Sequence, residues 1–92
     1  MGFNKNEATE AAKHDLADRL GVDGSTIKEV SVIDKDFPDM SLGAPVEDEM
    51  SAQMISTGWE IRLGVDSKTY EYRADKYQLR LVDFDGLNHV IE

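Results

Sequence analysis

The chain has 92 residues, no cysteine, and 19 acidic against 10 basic side chains for a formal net charge of −9. It is the size of one small domain, and disulfides, a thiol nucleophile and thiolate metal sites are excluded. The charge disfavours a phosphate backbone, which is gripped by clustered Lys and Arg, and no apolar run approaches the ~20 residues of a membrane-spanning helix.

Residues 1–6 are polar and are expected to be flexible. They do not read as a secretory signal, and Asn6 stands where a myristoylation pattern needs Ser or Thr. The sequence as written therefore reads as cytoplasmic, with an extracellular setting open only to a chain whose signal has been removed. Residues 7–20 predict a helix. Ala8, Ala11, Ala12, Leu16 and Leu20 share one face, Lys13, Asp15 and Asp18 lie mostly on the other, and Gly21 follows as a C-cap. A turn at Asp23-Gly24-Ser25-Thr26 leads into a β-branched strand over 27–35, with Val30 and Val32 expected on one face.

Beyond the long segment 36–58, Trp59, Ile61, Leu63 and Val65 alternate toward a core, while Glu60 and Arg62 alternate toward water. Strands follow over 68–74, with Tyr70 and Tyr72 together, over 77–84, with Leu79 and Leu81 together, and over 87–91 after the hairpin signal Asp85-Gly86. Short turns force antiparallel neighbours. The expected fold is α+β and a single domain over 1–92. One N-terminal amphipathic helix packs on one face of a mainly antiparallel sheet of three to five strands, and a long ordered loop joins the first two strands. The other sheet face, with Glu60, Arg62, Thr69, Glu71 and Arg73, is expected to be polar and solvent-facing.

Segment 36–58 exceeds the ~12–15 residues a compact domain usually leaves without regular structure. Pro38 and Pro45 stiffen it, Gly43 frees one backbone position, and Asp39 and Ser41 favour a turn at Met40. Phe37, Leu42, Met50, Met54 and Ile55 are its expected apolar anchors. Repulsion within Glu47-Asp48-Glu49 predicts a mobile tip there, with order resuming near Met54. Two readings stay open. The segment is an ordered cover over the core, or it is a binding loop on a rigid scaffold with Phe37, Pro38, Asp39, Ser41, Leu42, Gly43 and Pro45 as the candidate binding residues.

The run Phe37-Pro38-Asp39-Met40-Ser41-Leu42-Gly43-Ala44-Pro45 resembles the W-P-D-x-S-L-G-C-P signature of a family of small, mostly uncharacterised prokaryotic domains. Residues 15–22 are similar to that family's helix end, Gly58-Trp59-Glu60-Ile61 to its P-G-Y-x-I strand start, and residues 68–75 to its K-x-Y-x-Y-H-x-D strand. Phe37 replaces the usual Trp and Ala44 the usual Cys, so any thiol chemistry of relatives is absent here. The resemblance implies a PepSY-like arrangement, and some PepSY-type domains restrain or bind peptidases.

No catalytic set emerges. His14 and His89 are far apart with no third ligand, and Pro38 interrupts any calcium loop through Asp34, Asp36 and Asp39. Gly21 and Gly24 lack the lysine of a phosphate loop, and Arg62, Arg73 and Arg80 alternate with carboxylates suited to cross-strand pairing. The sequence therefore reads as no enzyme, with no cofactor and no metal site. The leading reading is a non-catalytic protein-binding or regulatory module presenting loop 37–45, with peptidase restraint as the form the resemblance implies. The alternative is a small-ligand domain with an apolar pocket between loop and sheet, walled by Trp59, Tyr70 or Tyr72. A third is a structural unit that dimerises through a sheet edge, although a monomer is favoured. The expected partner is another protein, with neither nucleic acid nor membrane. A fluorescence titration with a random DNA duplex should show no binding, and salt-sensitive micromolar affinity would contradict the charge argument.

Overall fold

The computed structural model describes residues 3–92. Helix α1 (Lys5–Leu20) and a 3-10 turn (Gly24–Thr26) precede five strands, β1 (Lys28–Phe37), β2 (Ser56–Val65), β3 (Lys68–Ala74), β4 (Leu79–Phe84) and β5 (Leu87–Val90). The strands form one antiparallel sheet in the order β1-β2-β3-β4-β5. This is the expected α+β fold. Among the described residues no helix is long and apolar enough to cross a membrane.

α1 begins two residues earlier than its apolar periodicity suggests, because Asn4 caps it. The Asn4 carboxamide oxygen accepts from the Glu7 backbone N–H at 2.8 Å, and the Glu7 carboxylate accepts from the Asn4 N–H at 3.0 Å. The Phe3 N–H donates to the Lys76 carbonyl at 2.8 Å. Residues 3–6, expected to be flexible, thus belong to the cap and first turn; Met1 and Gly2 lie outside the described residues. Gly21 closes the helix at φ 67°, as expected.

Ala8, Ala12 and Leu16 are fully buried against Ile61, Leu63, Tyr72, Ala74, Leu79 and Leu81. Small alanines let the helix axis lie close to the sheet. The Tyr72 hydroxyl donates to Asp15 at 2.7 Å, and Arg19 holds the same carboxylate oxygen at 2.7 Å. Asp15, expected on the outer face, is therefore a strut between helix and sheet. Burial and this bond to a carboxylate push the Tyr72 hydroxyl far above the ordinary tyrosine range.

Three local details depart from the sequence reading. A bulge between Glu29 and Ser31 breaks the alternation of β1, so Val32 packs on the core while Val30 is exposed and approaches Gly64 on the opposite face. The turn before β4 is longer than Asp75-Lys76, because the Asp75 carboxylate accepts from the Tyr77 and Gln78 N–H groups at 2.7 and 3.0 Å. Tyr77 consequently sits in the turn, exposed. Finally, β1 and β2 extend to Phe37 and from Ser56, so the irregular loop is confined to 38–55. Gly58 permits this extension: a Cβ there would lie 2.0 Å from the Ala74 carbonyl oxygen, where β3 leaves the sheet.

Alternation along β2, β3 and β4 separates the two sheet faces. Rows Trp59–Ala74–Leu79 and Ile61–Tyr72–Leu81 face α1, and the intervening row Glu60–Arg73–Arg80 faces the other way. Trp59 is half-buried at the rim of the core, whereas Leu63 is fully buried. Truncating Leu63 to Ala should cost about 2–5 kcal/mol in urea denaturation, and a loss below about 1 kcal/mol would contradict the face assignment.

Candidate functional site

The loop does not cap the open end of the core. It folds across the face opposite α1 and forms a third layer. The expectation of a solvent-facing polar face is corrected accordingly: Glu60 and Arg80 are each only 4% exposed, while Arg62 remains exposed. Glu60 accepts from Lys35 at 2.7 Å and from Arg62 at 2.9 Å. The Lys35 bond comes first among the causes that hold its carboxyl below the usual range.

The first half of the loop is held by its own side chains. One Asp39 carboxylate oxygen accepts from the Ser41 N–H at 3.0 Å, the Ser41 hydroxyl at 2.6 Å and the Gly43 N–H at 3.0 Å. These donors, the Ser41 hydroxyl foremost, hold the Asp39 carboxyl below its ordinary range. The turn they enclose places Leu42 and Gly43 at φ 60° and 67°. A left-handed leucine costs roughly 1–2 kcal/mol, but its side chain is fully buried, a gain of roughly 1.5–3 kcal/mol. Burial wins, and the strain persists. Gly43 is favoured on two counts, its positive φ and the Arg73 Nη1 that would lie 2.9 Å from a Cβ.

Two arginines of the sheet tie this turn down. Arg73 Nη1 donates to the Leu42 carbonyl at 2.9 Å, and its guanidinium lies 5.6 Å from the centroid of the buried Phe37 ring. Arg80 donates from Nη1 to the Ala44 carbonyl at 3.1 Å and spans both Glu49 carboxylate oxygens at 2.5 and 2.6 Å. Gln78 and Asn88 bond the Met40 and Pro45 carbonyls at 2.6 and 2.9 Å. The Arg80 bond is the foremost cause holding the Glu49 carboxyl below the usual range. The premise of the mobile tip, that nothing anchors Glu47-Asp48-Glu49, is therefore corrected at Glu49; Glu47 and Asp48 are exposed. Among the described residues every buried side-chain N and O atom has a partner.

The candidate binding residues separate into two sets. Phe37, Ser41 and Leu42 are buried, as is Ala44 two residues further on. Pro38, Gly43 and Pro45 are exposed, and Asp39 is half-buried with its carboxylate occupied by the turn. Phe37 and Leu42 are anchors as expected, but Met50, Met54 and Ile55 are not, being 97%, 64% and 74% exposed. The anchoring falls instead to Arg73 and Arg80, whose alternation with core residues on β3 and β4 is their only mark in the sequence. The expected pocket between loop and sheet is also corrected. Phe37, Leu42 and Ala44 are buried in that layer, and Trp59, Tyr70 and Tyr72 face α1.

The exposed part of the loop instead borders a shallow depression of about 190 Å³, lined by Met40, Ile55, Thr57, Lys76 and Tyr77 among others. Among the described residues no three His, Cys, Asp or Glu side chains are placed to hold a metal ion.

A family model described as a domain of unknown function (DUF8738) matches residues 9–82. No curated protein matches the chain, and no solved structure does. The matched segment runs from the first turns of α1 into β4 and includes the whole loop with both arginines that hold it.

Replacing Arg80 by Ala should cost about 3 kcal/mol, the lower end for breaking a buried pair, since Glu49 can swing into water. Because Arg80 lowers the folded-state Glu49 carboxyl, the associated stability is complete above the ordinary glutamate range. It is lost as pH falls through the lowered folded value. Urea denaturation across that range should show a smaller acid-side loss in Glu49→Gln than in the parent chain.

Proposed function

The chain belongs to this domain family of unknown function, and we propose from the site itself that it is a non-catalytic protein-binding module. Its contact surface in this reading is the outer side of the loop together with the β3–β4 turn. The observation that carries it is the gathering of exposed Met40, Ile55 and Tyr77 around one depression, with Met54 next in the chain. Exposed apolar patches of this kind mark interaction sites, and methionines adapt to a partner's shape. The proline-bounded turn supports the surface from beneath, because its Asp39, Ser41 and Leu42 are spent on holding it in place.

Two observations favour this reading of the loop surface over its rivals. At about 190 Å³ the depression is smaller than the roughly 300–1,000 Å³ of sites that engulf a small ligand. The shifted carboxyls, Asp23, Asp39, Glu49 and Glu60, all move downward under hydrogen-bond donors, whereas a general acid needs a raised value. Peptidase restraint, implied by the resemblance to PepSY-type domains, is one form of such binding.

A photo-crosslinking residue at position 55 or 77 in the source cells tests this. One dominant protein adduct is expected from those positions and none from position 14 on the exposed side of α1. Changing Met40 and Met54 to Ser should abolish the adduct while shifting stability by less than about 0.5 kcal/mol. Equal adducts from all positions would overturn the proposal, and an adduct with a second copy of the chain would replace it with self-association. Peptidase activity of the captured protein, with and without the domain, measures restraint.

A further inference from the structure

We propose a second binding site at the other end of the sheet. The cleft between the start of β3 and the tip of the β4–β5 hairpin takes an extended basic peptide segment as an added short strand. This inference is independent of the loop surface, since β4 runs from the turn holding Tyr77 toward Phe84 and so separates the two sites.

The opening arises from register. On one side β3 pairs with β2 along its whole length, from Val65↔Lys68 to Trp59↔Ala74. On the other side β4 meets only Glu71 to Ala74, the last pair being Glu71↔Val82. Among the described residues no strand pairs with Lys68, Thr69 and Tyr70 there. The cause lies in β4, whose pairing with β5 shifts between Leu81 and Phe84 and whose Asp83 adopts φ 52°. The Asn88 side-chain oxygen stabilises this bulge by accepting from the Asp83 N–H at 2.9 Å. The bulge turns Phe84 toward the helix side. There its ring lies 6.0 Å from that of Tyr70 and 5.7 Å from the Arg19 guanidinium. This contact with a β3 side chain walls the gap on the helix side.

What remains is a cleft of about 530 Å³ bordered by Thr69, Tyr70, Glu71, Asp83, Phe84 and Asp85. An open strand edge in a cleft of this size suits β-strand addition, in which backbone bonds give affinity and alternate side chains give selectivity. Charge selects the occupant. Among the described residues neither Asp83 nor Asp85 has a cationic partner, the two outnumber Lys68, the one cation of the lining, and the chain's net −9 attracts basic segments and repels a second copy. The segment that fits carries Lys or Arg toward Asp83 and Asp85, alternating with apolar side chains toward Tyr70 and Phe84.

The test titrates the isotope-labelled full chain with an acetylated, amidated Lys-Val-Arg-Val-Lys peptide, followed by NMR. Amide shifts are expected at Lys68 to Glu71 and Asp83 to Asp85. The double variant Asp83→Asn with Asp85→Asn should bind about tenfold more weakly, because asparagine keeps the left-handed backbone and removes only charge. The same peptide N-methylated on alternate backbone nitrogens should fail to bind, and so should one with Glu in place of Lys and Arg. Equal binding of the N-methylated peptide would overturn strand addition, and so would shifts confined to the loop surface. Shifts that grow with protein concentration alone would assign the cleft to a second copy, and no shift at millimolar peptide would remove the site.

Discussion

The fork of Arg80 between sheet and loop is the interaction on which the third layer depends. A loop laid flat on a sheet brings backbone carbonyls away from water, and each needs a donor. Arg80 reaches the Ala44 carbonyl, both Glu49 oxygens and the Gln78 side chain at 2.7 Å while itself nearly fully buried. A lysine has three donors on one nitrogen and could not span this set. Such a pair adds little net stability over an apolar replacement, but one member without the other is strongly unfavourable. Its effect is therefore chiefly positional: the loop has one place to lie, and Arg73 fixes the turn beside it.

Much of the frame was legible because it rests on local periodicity. The alternation of Ile61, Leu63 and Val65 identified the core face, and Asp85-Gly86 identified a hairpin whose two residues take φ 55° and 80°. The misreadings share a physical cause, since each hung on a partner distant in the chain. Glu60 alternates like a surface residue, yet Lys35 from β1 bonds it under cover. Glu49 reads as one of three repelling charges until Arg80 is beside it. Met50, Met54 and Ile55 read as anchors because apolar residues usually bury, but the layer beneath was already filled by Phe37, Leu42 and Ala44. Val30 lost its expected face to a single extra residue in β1.

The nine-residue run from Phe37 to Pro45 gains a physical meaning from its burial pattern. Its two departures from the pattern it resembles, Phe37 and Ala44, fall in the same inter-layer core, 1% and 0% exposed. A cysteine at position 44 would act there as a small buried apolar group rather than an accessible thiol. The aspartate, serine, leucine and glycine between them serve one left-handed turn. The run is thus a locking device whose outer prolines are exposed.

The bulge at Val30 has a consequence for the free margin of the sheet. β1 is an outer strand of ten residues, long enough to template the growth of a sheet from chain to chain. The extra residue kinks that margin near one end, and Asp34, Lys35 and Asp36 place charge along the other. Exposed Val30 and Ile33 lie between the kink and the charged end. The longest free margin of the sheet is thus guarded against edge-to-edge pairing by shape at one end and by charge at the other.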